Sequence, residues 1–245
     1  MIGDILTVAS KEWRELLFVG GGLRGGRFSL VILLFMFGVF MPYQLGPEWL
    51  DSPTTLFYWG WLPLMIVAGV VADSFAGERE RHTLETLLAS RLPDRAILLG
   101  KVVAAVGYGW GMVLSILVFG LVTINVMQHA GTPVFFPWRV VGGAAVLSLL
   151  GTTIAAGAGI LVSLRSPTVR QASQTLSAAI LLLLLVPVFG LGALPDAWKV
   201  QMVVWARSVG IDGIFWTVIA VMAAGAGVLL AAAMARFKRF RLILD

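Results

Sequence analysis

The 245-residue chain contains no cysteine. Disulfides, thiolate metal sites and cysteine nucleophiles are thereby excluded, although the compartment is not, because membrane segments need none of them. Charge is also scarce. Asp, Glu, Lys and Arg make up 13% of the residues, against about 25% in a soluble domain. Hydrophobic residues make up 59% and the mean hydropathy is +0.93. A soluble globular fold, a nucleic-acid binder and a disordered chain all fit this composition poorly, whereas a polytopic membrane protein fits it well. The histidines, His82 and His129, fall in different loops on opposite sides, so they form neither a metal pair nor a dyad. No serine sits in a nucleophile-elbow pattern. Gly100–Lys101 has no glycine at position 95 and no Ser or Thr after the lysine, so it is not a phosphate-binding loop. The chain is expected not to be an enzyme by itself. If ATP drives it, the ATPase is a separate polypeptide.

What is present is long apolar sequence. Runs free of Asp, Glu, Lys and Arg cover 28–47, 52–72, 102–138, 140–164, 171–195 and 213–235. Each is long enough to cross a hydrocarbon core of ~30 Å at ~1.5 Å per residue. The third is too long for one span. Its apolar part ends near Met127, and Gln128, His129, Gly131, Pro133 and Pro137 read as a loop. The expected fold is all-α: a polytopic membrane protein with one transmembrane domain over 1–245. Six transmembrane helices fall at 28–47, 52–72, 102–127, 140–164, 171–194 and 213–235. In the fifth, Pro187, Gly190 and Gly192 leave room for a break or reversal.

Cationic residues alternate in density with every span. Lys11, Arg14, Arg24, Arg27, Arg79, Arg81, Arg91, Arg95, Lys101, Arg165, Arg170, Arg236, Lys238, Arg239 and Arg241 fall on one side. Only Arg139, Lys199 and Arg207 fall on the other. The positive-inside rule then predicts that both termini are cytoplasmic. Trp49, Trp59, Trp61, Trp138, Trp198, Trp205 and Trp216 lie in or near the outer loops, where indole rings favour the headgroup boundary. The first apolar run is preceded by acidic residues and has no small-residue cleavage site, so a cleaved signal peptide is not expected.

Three connecting segments carry pattern. In residues 1–26, Ile5, Ala9, Trp13 and Leu16 recur at helical spacing opposite Lys11, Glu12, Arg14 and Glu15. This predicts an interfacial helix, followed by a joint at Gly20, Gly21, Gly22, Gly25 and Gly26. It serves either as a membrane anchor or as an elbow against which a partner docks. Residues 74–100 read as a cytoplasmic loop in which Glu78, Arg79, Glu80 and Arg81 alternate in sign. Thr83 to Leu88 continue as a helix with Leu84, Leu87 and Leu88 on one side; Pro93 stops it and a second short helix leads to Lys101. The acids Asp73, Glu78, Glu80, Glu85 and Asp94 argue against a purely topogenic loop. In 195–212, Trp198, Met202, Trp205 and Val209 share a face, which suits either an outer interfacial helix or a re-entrant one. Gly107 and Gly111, and then Gly151, Ala155 and Gly159, form small-residue stripes for close helix packing. No span interior carries Asp, Glu, Lys or Arg, which weighs against an ion-coupled carrier.

The segment GERERHTLETLLASRLPDRAILLGK resembles the signature of ABC-2-type ABC transporter permeases, in which E-R-E-x-x-T-L-E-x-L-L follows the second span and a lysine opens the third. The match is carried by Glu78, Arg79, Glu80, Thr83, Leu84, Glu85, Leu87, Leu88 and Lys101. It departs where Arg91 and Leu92 separate Ser90 from Pro93, since the family often has a Ser/Thr-Pro pair there. The resemblance implies a permease subunit of an exporter in a bacterial or archaeal plasma membrane. It would pair with a second, identical or homologous permease among membrane lipid. Two nucleotide-binding ATPase subunits would hold the ATP and Mg, with no cofactor in this chain and no nucleic acid. A coupling helix near 77–90 would meet the ATPase through Glu78, Arg79, Glu80, Arg81, Thr83, Leu84, Glu85 and Leu88, with Arg165, Ser166, Pro167 and Arg170 as a second contact. An uncharged pathway suggests amphipathic or apolar cargo: a lipid, drug or peptide. A stand-alone channel or ion-coupled carrier, and a non-transporting scaffold, stay open as alternatives.

Overall fold

The computed structural model describes residues 1–16, 26–51, 53–127 and 133–237. The expected joint glycines Gly20, Gly21, Gly22 and Gly25, the loop residues Gln128, His129 and Gly131, and the tail cations Lys238, Arg239 and Arg241 lie outside the described residues.

Every regular element among the described residues is helical. Helix α1 (Ile2–Arg14) is amphipathic. Helix α2 (Gly26–Phe35) passes through a π-helical turn (Met36–Phe40) into α3 (Met41–Leu45). There follow α4 (Glu48–Asp51), α5 (Pro53–Glu80), α6 (Leu84–Leu88), α7 (Asp94–Met127), α8 (Trp138–Ser163), α9 (Val169–Ala193) and α10 (Asp196–Arg236). Five segments among the described residues are long and apolar enough to cross a membrane: Tyr58–Glu80, Asp94–Met127, Trp138–Ser163, Val169–Val186 and Asp212–Arg236. Leu30–Leu45 is a shorter apolar helix. The chain is an all-helical integral membrane protein.

The helices overrun the charge-free runs. Helix α5 continues past Ala72 to Glu80, and α7 begins at Asp94 rather than Val102. A charged side chain ends an apolar run without ending the backbone ladder, which closes on main-chain groups alone. The segment 74–100 is therefore divided among the end of α5, the short α6 and the start of α7. No separate helix precedes Lys101, and Asp73, Glu78 and Lys101 sit inside long helices. Helix α9 runs unbroken past Pro187, Gly190 and Gly192. The stretch 196–212 belongs to α10, which Pro195 precedes as N-cap and which bends at Gly210 (φ 72°, ψ 173°), a conformation that glycine adopts without a Cβ clash.

Helix α5 is the spine. In its apolar window 61% is buried inside the chain, against 11% for α9 and for the apolar part of α10. It packs most extensively on α8. The stripe on α8 faces it: a Cβ added at Gly151 would lie 2.8 Å from the Gly60 carbonyl oxygen, and one at Gly159 2.6 Å from Val71 Cγ1. Trp49 and Trp59 are packed inside the chain rather than on its surface. Both are fully buried, stacked edge-on at 5.6 Å between ring centroids, because α4 folds inward and uses the rings as core. Trp138, Trp198, Trp205 and Trp216 are exposed.

Candidate functional site

Alternating helix direction brings the end of α5, the start of α7, the end of α8 and the start of α9 to one end of the bundle, where α1 also lies. The last turn of α5 carries Glu78, Arg79 and Glu80. Consecutive helical residues point about 100° apart, so these three side chains meet three different neighbours.

Glu78 is buried and faces α7 and α1. Its Oε1 accepts from Lys101 Nζ at 3.0 Å and from Lys11 Nζ at 3.2 Å. Lys101, whose side chain is 1% exposed, also donates to Glu12 Oε1 at 2.8 Å and to the Ser74 carbonyl at 2.8 Å. An ammonium has three protons, and all three are used. The Phe75 ring lies below the same ammonium, 5.0 Å from its centroid. Glu78 Oε2 is buried and has no hydrogen-bond partner among the described residues. Lys11 also pairs with Glu15 at 3.2 Å. Burial would lower the Lys11 ammonium, but the carboxylates of Glu78, Glu12 and Glu15 outweigh it and hold the group above its ordinary value.

Helix α1 is seated on α7 by shape as well as charge. A Cβ at Gly100 would lie 2.5 Å from Val8 Cβ, and one at Gly107 would lie 3.1 Å from the Trp13 ring. The Trp13 indole donates to the Ala104 carbonyl at 3.1 Å.

Arg79 turns toward the end of α8. Its Nη1 donates to the Ser166 carbonyl at 2.6 Å and its Nη2 to the Leu164 carbonyl at 3.0 Å. These acceptors belong to the α8 terminus, where carbonyls have no intrahelical donor. Nearby, Ser163 Oγ accepts from the backbone N–H groups of Phe75 and Ala76 at 3.1 and 2.9 Å, and donates to the Ala72 carbonyl at 3.1 Å. Glu80 Oε2 accepts from the Val169 N–H at 3.1 Å, in the first turn of α9. Arg81 Nη2 reaches both carboxylate oxygens of Asp73 at 2.9 Å on the exposed face.

The chain then turns through His82, whose φ of 57° is left-handed. Thr83 donates to the Glu78 carbonyl through its N–H (2.9 Å) and its hydroxyl (3.3 Å). Leu84 anchors α6 in the core. Lys11, Glu15, Asp73, Glu78, Arg81 and Lys101 line a cavity of about 670 Å³ between α1, α5 and α7. Among the described residues no group of three His, Asp or Glu is placed to hold a metal ion.

The residues predicted from sequence thus divide. Glu78 and Leu84 are buried, Arg79 is half-buried, and Glu80, Arg81, Thr83, Glu85, Arg165 and Arg170 are exposed. Ser166 is buried and Pro167 exposed. Leu88 belongs to α6, with its side chain outside the described set. Sequence reasoning did not assign Lys11, Glu12, Asp73 or Ser163 to this site. The available signal was Lys101 itself, a lone cation in apolar sequence that needs a carboxylate partner.

Residues 56–207 match the ABC-2 type transporter family. Over 140 residues the chain is 26% identical to the ABC transporter permease protein NatB of Bacillus subtilis (strain 168), an alignment covering 52% of this chain and 35% of that protein. The chain thus spans about a third of the length of that relative. The family match takes in α6 to α9, most of α5 and every member of the charged cluster outside α1, and it covers more than half of the sequence; the chain belongs to the ABC-2 type transporter family, a family of membrane transport permeases.

Proposed function

We propose that the chain is the transmembrane permease subunit of an ATP-binding-cassette exporter. Two permease subunits form the pathway, and two separate nucleotide-binding subunits hydrolyse ATP with Mg. The helical stretch Gly26–Leu45 supplies a sixth span beside the five long ones. The cation-rich end of the bundle faces the cytoplasm, in keeping with the positive-inside rule. There α6 and the last turn of α5 act as the coupling segment, and the exposed residues Glu85, Arg91, Arg165 and Arg170 meet the ATPase. The observation that carries this reading is the family match lying across a short helix bonded directly to the most buried span. The scarcity of charge in the spans favours amphipathic or apolar cargo such as a lipid, drug or peptide.

The test is co-purification followed by reconstitution. A tagged chain in mild detergent retains an ATPase subunit, and liposomes holding both move a fluorescent lipid or amphipathic dye only with ATP and Mg. Uphill movement by the purified chain without nucleotide would refute the proposal and favour the stand-alone carrier.

A further inference from the structure

An amphipathic helix held only by lipid needs no particular partner inside the protein. Helix α1 has several. Glu12 meets Lys101 of α7 at 2.8 Å, and Lys11 meets Glu78 of α5 at 3.2 Å. Lys101 and Glu78 join at 3.0 Å, so three elements are tied through one buried ammonium. Separating them would leave the largely buried Lys101 and Glu78 without their partners, which is costly. Gly100 and Gly107 fix where α1 crosses α7, and the Trp13 indole fixes its register. Helix α6 joins the same set, because Thr83 bonds the backbone carbonyl of Glu78, the residue whose carboxylate holds Lys101.

We propose that Lys101 is a positioning residue that makes α1 a moving part of the transport machinery. Helix α1, the foot of α5 and the first turns of α7 travel as one body. A displacement of α6 passes through Glu78 to the Lys101 ammonium and from there into α7 and α1. This inference rests on the coupling role proposed above for α6, and it adds a second helix to the lever.

The cysteine-free chain allows a direct test by spin labelling. One label replaces exposed Leu6 on α1 and the other exposed Val118 on α7, and double electron–electron resonance is recorded on the permease alone in lipid nanodiscs. The distance distribution is expected to be single and narrow. Lys101→Met broadens it, Lys101→Arg narrows it again, and Glu12→Gln broadens it while leaving the Lys101–Glu78 pair in place. That last variant covers the case in which Lys101→Met fails to fold. In the complex with its ATPase, the α1–α7 distance stays constant on addition of ATP, while a Leu6–Val146 pair, from α1 to α8, changes. Glu12→Gln lowers transport per ATP hydrolysed by about ten-fold, as loss of one charge-assisted bond would. Narrow distributions in both Lys101→Met and Glu12→Gln would overturn the role of Lys101 and leave coupling through α6 intact. A constant Leu6–Val146 distance under turnover would overturn that coupling and this proposal with it.

Discussion

The Lys101 ammonium and the Glu78 carboxylate lie 3.0 Å apart across 23 positions of sequence, with side chains 1% and 7% exposed. Removing one member of such a pair is far costlier than removing both, because a lone buried charge keeps its desolvation penalty. Lys101→Met is therefore expected to destabilise the chain by roughly 3–5 kcal/mol. Lys101→Met combined with Glu78→Leu should recover much of that loss. Thermal unfolding of the purified variants in detergent measures both, and a single variant as stable as the double would contradict the pairing.

Close approach at the α1–α7 crossing gives a second prediction. A side chain at Gly100 would run into Val8 Cβ and the Ile5 carbonyl, whereas a Cβ at Gly111 would meet nothing within 4 Å. Gly100→Leu should displace α1 at a cost of about 1–3 kcal/mol, and Gly111→Ala should be nearly neutral. Thiol labelling of a cysteine placed at buried Val8 reports the displacement: labelling should be fast with Gly100→Leu and slow with Gly111→Ala.

The guanidinium of Arg79 holds the carbonyls of Leu164 and Ser166. Arg79→Ala should loosen the α8–α9 connection by about 1–3 kcal/mol. Amide hydrogen exchange is expected to rise in residues 164–169 and to stay unchanged in the C-terminal half of α7. Uniform exchange across both segments would show that Arg79 does not cap α8.

Lys11 gives a prediction in pH. The groups around it are Glu12, Glu15, Glu78 and, through the shared carboxylates, Lys101. Its folded value is held above the ordinary 10.5, so the charged form is favoured when α1 is docked. The stabilisation is complete below the unfolded value and lost as pH rises through the folded one. Docking of α1 should thus be insensitive to Lys11 across neutral pH and weaken only in the alkaline range above about 10.5. Lys11→Met should remove that part of the alkaline response in the Val8 labelling assay.

Glu80 accepts from the first turn of α9 at 3.1 Å. Glu80→Lys places a cation against that N–H and against the positive end of the helix dipole. The variant is expected to fold and insert, and to move less cargo per ATP hydrolysed in liposomes with the ATPase. A wild-type ratio would take Glu80 out of the coupling path.

Much of the helical layout was legible in apolar run length, because the bilayer sets that length independently of tertiary contacts. The helix ends were less so. Asp73 ends one apolar run and Lys101 precedes the next, yet the helices continue through both, because the backbone ladder closes on main-chain groups whatever the side chain. That Glu78 faces Lys101 while Arg79 faces Leu164 depends on helix phase and on which helices neighbour α5, and neither is written in the local sequence. The place of Trp49 and Trp59 in the chain suits boundary residues; packing of α4 against α5 decides their burial. Gly210 is the opposite case. The proline and glycines of α9 leave their helix straight enough to stay continuous, while this single glycine at positive φ redirects α10.

Glu78 and Arg79 spend their charges within the subunit, whereas Glu85, Arg91, Arg165 and Arg170 project outward at the same end. If the outward set is the docking surface proposed above, architecture and partner choice can drift at different rates: exchanging those side chains would change the partner and leave the internal scaffold as it is.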